Sequence, residues 1–179
     1  MRASFVASCL GSWVQAVACG ASLLLVACGD DPRQPIFETT LTVENASNQP
    51  TTAFITAEPV RLVLHVRNLT DAAQTLTTPT GQLVDFWVRR LTDRAVVWRF
   101  SDGLAFSQVV TTLVFAPREI KVFPVVWDQR ATNGSVVGIG EYQAEGFVAT
   151  AENLAFPDVH PIRSETSASP ILFSILSPS

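Results

Sequence analysis

In the segment Val60-Arg61-Leu62-Val63-Leu64-His65-Val66-Arg67, the apolar Leu62, Leu64 and Val66 alternate with Arg61, His65 and Arg67. A period of two is the pattern of a strand with one face in a core and the other in water. It recurs along the chain with Val84, Phe86 and Val88, then Val96, Trp98 and Phe100, then Val109, Leu113 and Phe115. Each run is short and ends in turn-forming residues. Further strands are expected over 119–127, 138–150 and 171–176, with weaker ones near 37–43, 54–56 and 74–77. No window carries a helical period, which disfavours a parallel sheet with crossover helices and points to an antiparallel sandwich. Pro124 sits inside one of these runs, so its missing N–H is expected at an edge or a bulge. The stretch 151–170, with Pro157, Pro161, Pro170 and many Ser and Thr, reads as a long surface loop.

The expected fold class is therefore all-β, an immunoglobulin-like antiparallel β-sandwich. Nothing covalent staples it, because the three cysteines are Cys9, Cys19 and Cys28 and no thiol follows. The core alone must hold the domain, and the chain after Cys28 is long enough for one such core. The net charge of −4 excludes a basic nucleic-acid face.

Leu10 to Ala27 is uncharged, is preceded by Arg2 and is followed by Gly29, Asp30 and Asp31, which is the layout of a signal peptide. Leu25-Val26-Ala27-Cys28 resembles the lipobox of bacterial lipoproteins. That resemblance implies a signal peptide over 1–27, a lipidated Cys28 with a tether over 28–35, and a β-sandwich domain over 36–179. It also implies a bacterial envelope location, with the domain outside the cytoplasm and held to the membrane by lipid. A plain secretory signal and an uncleaved anchor are the alternatives, since the run approaches the length of a membrane span.

The chemistry available to the domain is narrow. Its histidines are His65, on the polar face of a strand, and His160, in Pro157-Asp158-Val159-His160-Pro161. No Gly-x-Ser-x-Gly elbow occurs, and the scattered carboxylates give no metal-ligand spacing. Gly138-Ile139-Gly140 precedes a strand rather than the helix N-terminus that would hold a phosphate. No catalytic residue, metal or cofactor is assigned, and both histidines read as solvated side chains.

The most informative stretch runs from Thr80-Gly81-Gln82-Leu83-Val84-Asp85-Phe86 to Val97-Trp98-Arg99-Phe100-Ser101-Asp102-Gly103-Leu104-Ala105-Phe106. Thr80-Gly81 is a turn, a hairpin passes through Leu91 to Arg94, and Ser101-Asp102-Gly103 is a turn presenting Leu104 and Phe106. Trp98 and Phe86 are expected as paired core residues, with Asp85 and Arg99 pairing across the hairpin.

These residues resemble the BsuPI family of bacterial intracellular proteinase inhibitors. Its sequences carry Ser/Thr-Gly-Gln-x-aromatic-Asp-Phe, then Val-Trp-Arg-aromatic-Ser, then Phe. Thr80, Gly81, Gln82, Asp85, Phe86, Val97, Trp98, Arg99, Phe100, Ser101 and Phe106 stand in matching order, and Phe123, Trp127 and Gly140-Glu141-Tyr142 extend the match. Val84 departs from the aromatic position. Pro117-Arg118-Glu119 departs from the family's Pro-Gly-Glu turn, and Arg at that position favours a type I turn over one with positive φ. The resemblance implies an immunoglobulin-like sandwich and no enzyme. It points to a proteinaceous protease inhibitor or protein-binding module, although the inhibitor that names the family meets its target in the cytoplasm. Exposed Asp102, Gly103 and Leu104 form the candidate contact loop. Leu104 is the side chain best suited to an apolar protease subsite, while Phe106 could equally point into the core. The alternative function is a non-inhibitory scaffolding or assembly lipoprotein; the candidate partners are the membrane, through the lipid, and a protease or another envelope protein.

Overall fold

The computed structural model describes residues 34–155 and 164–178. The expected signal peptide, Cys28 and His160 lie outside the described residues. The strands are β1 (Phe37–Glu44), β2 (Ala53–Ile55), β3 (Val60–Asn68), β4 (Gln74–Thr78), β5 (Val84–Arg90), β6 (Val96–Arg99), β7 (Thr111–Phe115), β8 (Ile120–Trp127), β9 (Gly140–Val148) and β10 (Ile171–Leu176). They form sheets of order β1-β3-β8 and β2-β10-β9-β5-β6, with β4 and β7 making a separate two-stranded ribbon. Every pairing is antiparallel except β2 with β10, where Phe54 runs alongside Ile175 in parallel. The larger sheets pack as a sandwich.

Between them lies a core that the alternation foretold. Leu62, Leu64 and Val66 of β3 are fully buried and pack with Phe86 and Val88 of β5, Tyr142 and Ala144 of β9, and Phe173 of β10. Trp127 sits at the centre of its aromatic part, with ring centroids 6.2 Å from both Tyr142 and Phe173. Gly146 of β9 leaves room there: a Cβ would come within 3.1 Å of Leu64 Cδ1 and 3.2 Å of Phe86.

Pro124 lies on β8, an outer strand of its sheet. The Asn68 amide donates to the Glu119 carbonyl at 2.9 Å, so those two residues are a hydrogen-bonded pair. Alternation along the ladder makes Val63 and Pro124, which face each other, a non-bonded pair. The Pro124 nitrogen therefore points to the open edge, where no ladder bond is lost.

The structure corrects several expectations. Trp98 is half-buried rather than enclosed, and its register partner is Val88, not Phe86. A register shift between Val88 and Arg89 moves β6 along β5. Phe100 takes the place beside Phe86 instead, edge to face at 6.1 Å, while Trp98 leans on Trp127 at 6.0 Å. Val96 and Val109, expected to face inward, are 42% and 65% exposed: Val97 is buried in place of Val96 beside the shift, and β7 begins only at Thr111.

The other two corrections concern turns. The stretch after β9 opens with a short helix, α1 (Ala151–Ala155), rather than continuing as loop. Its Asn153 is buried and donates from Nδ2 to the Val148 carbonyl at 2.8 Å and to Thr166 Oγ1 at 2.9 Å. These local bonds hold a turn that periodicity does not announce. Arg118 has φ 61°, the left-handed conformation expected of glycine, following Pro117 in a turn closed by Glu119 N to Ala116 O at 3.1 Å. The Arg118 amide donates to the Thr70 carbonyl at 3.1 Å, and the exposed side chain meets Asp71 at two points, Nε at 2.7 Å and Nη2 at 3.0 Å.

Candidate functional site

β5 is buried on both faces. Phe86 and Val88 enter the sandwich core, while Asp85 and Trp87 are buried on the other side of the sheet. A buried carboxylate survives only when its lone pairs are occupied. Asp85 Oδ2 accepts from Arg99 Nε at 2.7 Å, Ser101 Oγ at 2.8 Å and Trp87 Nε1 at 3.4 Å. Oδ1 accepts from the amides of Phe86 at 3.0 Å and Ser101 at 3.1 Å. The Asp85–Arg99 pair expected across the hairpin is present, and Ser101 completes it. The side chain thereby fixes the point at which the chain leaves β6.

From that point an irregular segment runs from Phe100 to the start of β7. Its first turn is closed by Asp102 N to Arg99 O and Leu104 N to Ser101 O, both at 3.2 Å. Gly103 takes φ 75°, and nothing lies within 4 Å of where its Cβ would be, so backbone conformation rather than crowding selects glycine. Leu104 is 50% exposed, Ala105 is exposed and Phe106 is half-buried. The far end is held by the Gly81 amide, which donates to the Ser107 carbonyl at 2.8 Å. A Cβ on Gly81 would collide with Ser107 Oγ, so a side chain there would require Ser107 to change rotamer. Thr80 shapes the approach, its Oγ1 accepting from the Gln82 amide at 3.1 Å.

The 128–137 loop lies beside this turn. Thr132 Oγ1 donates to Asp102 Oδ2 at 2.8 Å, and the Thr132 amide donates to the Val97 carbonyl at 2.9 Å. A groove of about 260 Å³ separates the two loops, lined by Trp98, Arg99, Asp102, Asp128, Arg130 and Thr132 among others.

Behind the loop, Trp87 lies between two guanidinium groups, Arg89 at 5.0 Å and Arg99 at 4.7 Å from its ring centroid. Arg89 Nε reaches Glu145 Oε1 at 3.0 Å, and Gln143 Nε2 donates to the same oxygen at 2.8 Å. Glu145 is 2% exposed, and its Oε2 has no hydrogen-bond partner among the described residues. Burial pushes its carboxyl above the usual range, against the opposing pull of Arg89 and the Gln143 hydrogen bond.

Of the candidate residues, Asp102, Gly103 and Leu104 come together at one exposed turn, and Cys28 and His160 lie outside the described residues. His65 stands on the outer face of β3 beside Glu38, Thr40, Thr42 and Arg67, in a shallow groove. Among the described residues no three His, Cys, Asp or Glu side chains are grouped as a metal would need, and no helix is long and apolar enough to cross a membrane. Sequence reasoning missed the Thr132 contact, the two arginines on Trp87 and the buried Glu145. Trp87 carried a usable signal, since an aromatic on the supposed outer face of β5 means that the strand is covered on both sides.

Residues 41–153 match the family described as BsuPI, intracellular proteinase inhibitor. The chain belongs to the BsuPI family. The BsuPI signature is explained by the geometry above: Gly81 and Gln82 sit where the loop returns, while Asp85, Arg99 and Ser101 form the hydrogen-bonded knot where it departs. Phe86 and Phe100 pack beneath that knot. The signature of this BsuPI chain is thus the framework of a loop, and the family is one of inhibitors rather than enzymes.

No curated protein matches the chain. Solved structures with similarity include a cycloisomaltooligosaccharide glucanotransferase from Paenibacillus sp., at 13% identity and TM-score 0.40, covering 78% of this chain and 14% of that one. A β-glucosidase from Listeria innocua, at 8% identity and TM-score 0.40, covers 78% and 16% respectively. The CARDB domain of a Pyrococcus furiosus protein, at 14% identity and TM-score 0.41, covers 80% and 90%. The chain spans less than a fifth of the length of the first two, and likenesses this distant bear on neither activity nor substrate.

Proposed function

We propose that this BsuPI protein is an exported proteinase inhibitor that offers the 101–106 turn to a protease, with Leu104 as the side chain that enters an apolar subsite. The observation that carries the reading is a loop tied at both ends, by Asp85 to Ser101 and by Gly81 to Ser107, around an exposed Leu104. A protease cleft takes an extended segment, and Leu104 to Ser107 has no ladder partner. Ordering that segment before the encounter removes much of the entropy cost of binding. Acylation of Cys28 would carry the domain to the envelope, outside the compartment that gives the family its name.

The test is inhibition of a panel of serine proteases by the full-length protein and by Leu104→Asp, after equal melting temperatures establish equal folding. Loss of inhibition in the variant is expected. Equal potency removes the turn from the contact, and no inhibition by either protein favours the scaffolding alternative. The address is tested by Cys28→Ser, which should leave the membrane fraction; retention at unprocessed size after a carbonate wash identifies an uncleaved anchor.

A further inference from the structure

An exposed apolar loop is also what a protease cuts. Whether a bound segment inhibits or is consumed depends on how firmly its ends and its turn are held, because hydrolysis requires the chain to relax and part. The Asp85 knot and the Gly81 contact hold the ends. They do not hold the tip, whose own backbone bonds, Asp102 N to Arg99 O and Leu104 N to Ser101 O, are long at 3.2 Å and where Leu104 and Ala105 are exposed.

Among the described residues the tip has one lateral side-chain hydrogen bond, from Thr132 Oγ1 to Asp102 Oδ2 at 2.8 Å. The far side of that contact is rigid. Thr132 is fastened to β6 through its amide on the Val97 carbonyl at 2.9 Å. Its loop is closed by Ala131 N to Ser135 O at 2.8 Å, Gly134 N to Ala131 O at 2.8 Å and Val137 N to Gln129 O at 2.9 Å. Arg130 Nη1 also donates to the Gly134 carbonyl at 2.9 Å. The root of the loop is fixed more deeply. Trp127 Nε1 donates to the Arg130 carbonyl at 2.7 Å. Buried Gln129 binds the Ile55 and Glu58 carbonyls at 2.9 and 2.8 Å and accepts from the Ala57 amide at 2.9 Å. Among the described residues the hydrogen bond from this network to the turn is made to Asp102, so it acts as a brace.

We propose that Thr132 is a positioning residue that keeps the 101–104 turn in one conformation and so makes the segment an inhibitor rather than a substrate. The inference rests on the proposed inhibitory function. It adds that the determinant of resistance lies outside the contact segment, in a hydroxyl thirty residues away along the chain. Loss of that hydroxyl frees the tip and permits protease-catalysed hydrolysis of the Leu104–Ala105 peptide bond, water adding across it to leave a new carboxyl and a new amine.

The experiment uses the full-length chain with Thr132→Val, Thr132→Ser and Asp102→Ala, each first matched to the wild type in melting temperature. Subtilisin and chymotrypsin serve as probes, and cleavage between Leu104 and Ala105 is followed by mass spectrometry. Thr132→Val should be cut there about threefold faster than wild type, the size of effect expected from losing one exposed hydrogen bond. Thr132→Ser keeps the hydroxyl and should behave as wild type, a rescue that a merely steric role would not give. Asp102→Ala, an exposed substitution that does not threaten folding, should match Thr132→Val, and the double variant should be no worse than either single one. Equal cleavage of Thr132→Val and wild type, or fully additive effects in the double variant, overturns the brace. This readout does not depend on inhibition, so absence of inhibition by the wild type rejects the proposed function separately.

Discussion

Ser101 donates twice to Asp85 across sixteen residues of chain, through its hydroxyl at 2.8 Å and its amide at 3.1 Å. A single carboxylate thus joins the buried outer face of β5 to the first residue of the contact turn. Because Asp85 is fully buried, removing it strands Arg99 and Ser101 without acceptors. Asp85→Ala should cost about 3–5 kcal/mol, as for other broken buried ion pairs, measured by urea unfolding. A loss below about 1 kcal/mol, the range of a surface pair, would show that the knot is not the anchor of the loop.

The two tryptophans that touch at 6.0 Å are unequal. Trp127 is enclosed and its indole nitrogen is bonded to the Arg130 carbonyl, whereas Trp98 is half-buried. Trp127→Ala should cost about 3–5 kcal/mol and Trp98→Ala clearly less, because the cavity at Trp98 opens to water. Thermal melts of the two variants decide the order, and a larger loss at Trp98 contradicts the packing described above.

Glu145 gives stability a pH dependence of definite sign. Its carboxyl is raised in the folded state above the ordinary 4.5, chiefly by burial. In the window from 4.5 up to that raised value the folded chain holds more proton than the unfolded one, so stability falls as pH rises through it and then levels. Asp71 and Glu119 act in the opposite sense. Hydrogen bonds from Arg118 and from Lys121 hold their carboxyls below the usual range, and their contribution is lost as pH falls. The difference in melting temperature between wild type and Glu145→Gln isolates the first effect. It should change across that window, and a constant difference contradicts the assignment.

At the turn after β7, Arg118 occupies the left-handed region that glycine occupies without strain. The ion pair with Asp71 is exposed and weak, so Arg118→Gly, which loses the pair but relieves the backbone, should leave stability nearly unchanged. Arg118→Val, β-branched and without the ion pair, should lose about 1–3 kcal/mol. Chemical denaturation of both variants tests this, and equal effects in the two would mean that the turn relaxes to another conformation.

The strands were legible where one face is apolar and the other polar. β3 is expected over 60–67 and forms Val60–Asn68, and β1 is expected near 37–43 and forms Phe37–Glu44. Alternation says nothing about a strand covered on both faces, which is why Trp87 passed unnoticed. Nor does it report register: without the irregularity beside Val88 the hairpin would set Trp98 opposite Trp87, and with it Trp98 faces Val88 and Phe100 comes beside Phe86. The exposed turn at Asp102, Gly103 and Leu104 was legible from turn chemistry. Its contact with Thr132 was not, because a single hydrogen bond between distant loops leaves no periodic trace.

Pro124 bears on how these molecules behave in a crowd. The open edge of β8 carries Ile120, Val122 and Val126, each at least half exposed, and an apolar, unprotected strand border is a template for polymerisation. At its middle, where a second chain would look for a donor, there is a ring carbon instead of a proton. A neighbour attempting to zip along this border meets an interruption after a few residues, which weakens the border as a template for polymerisation.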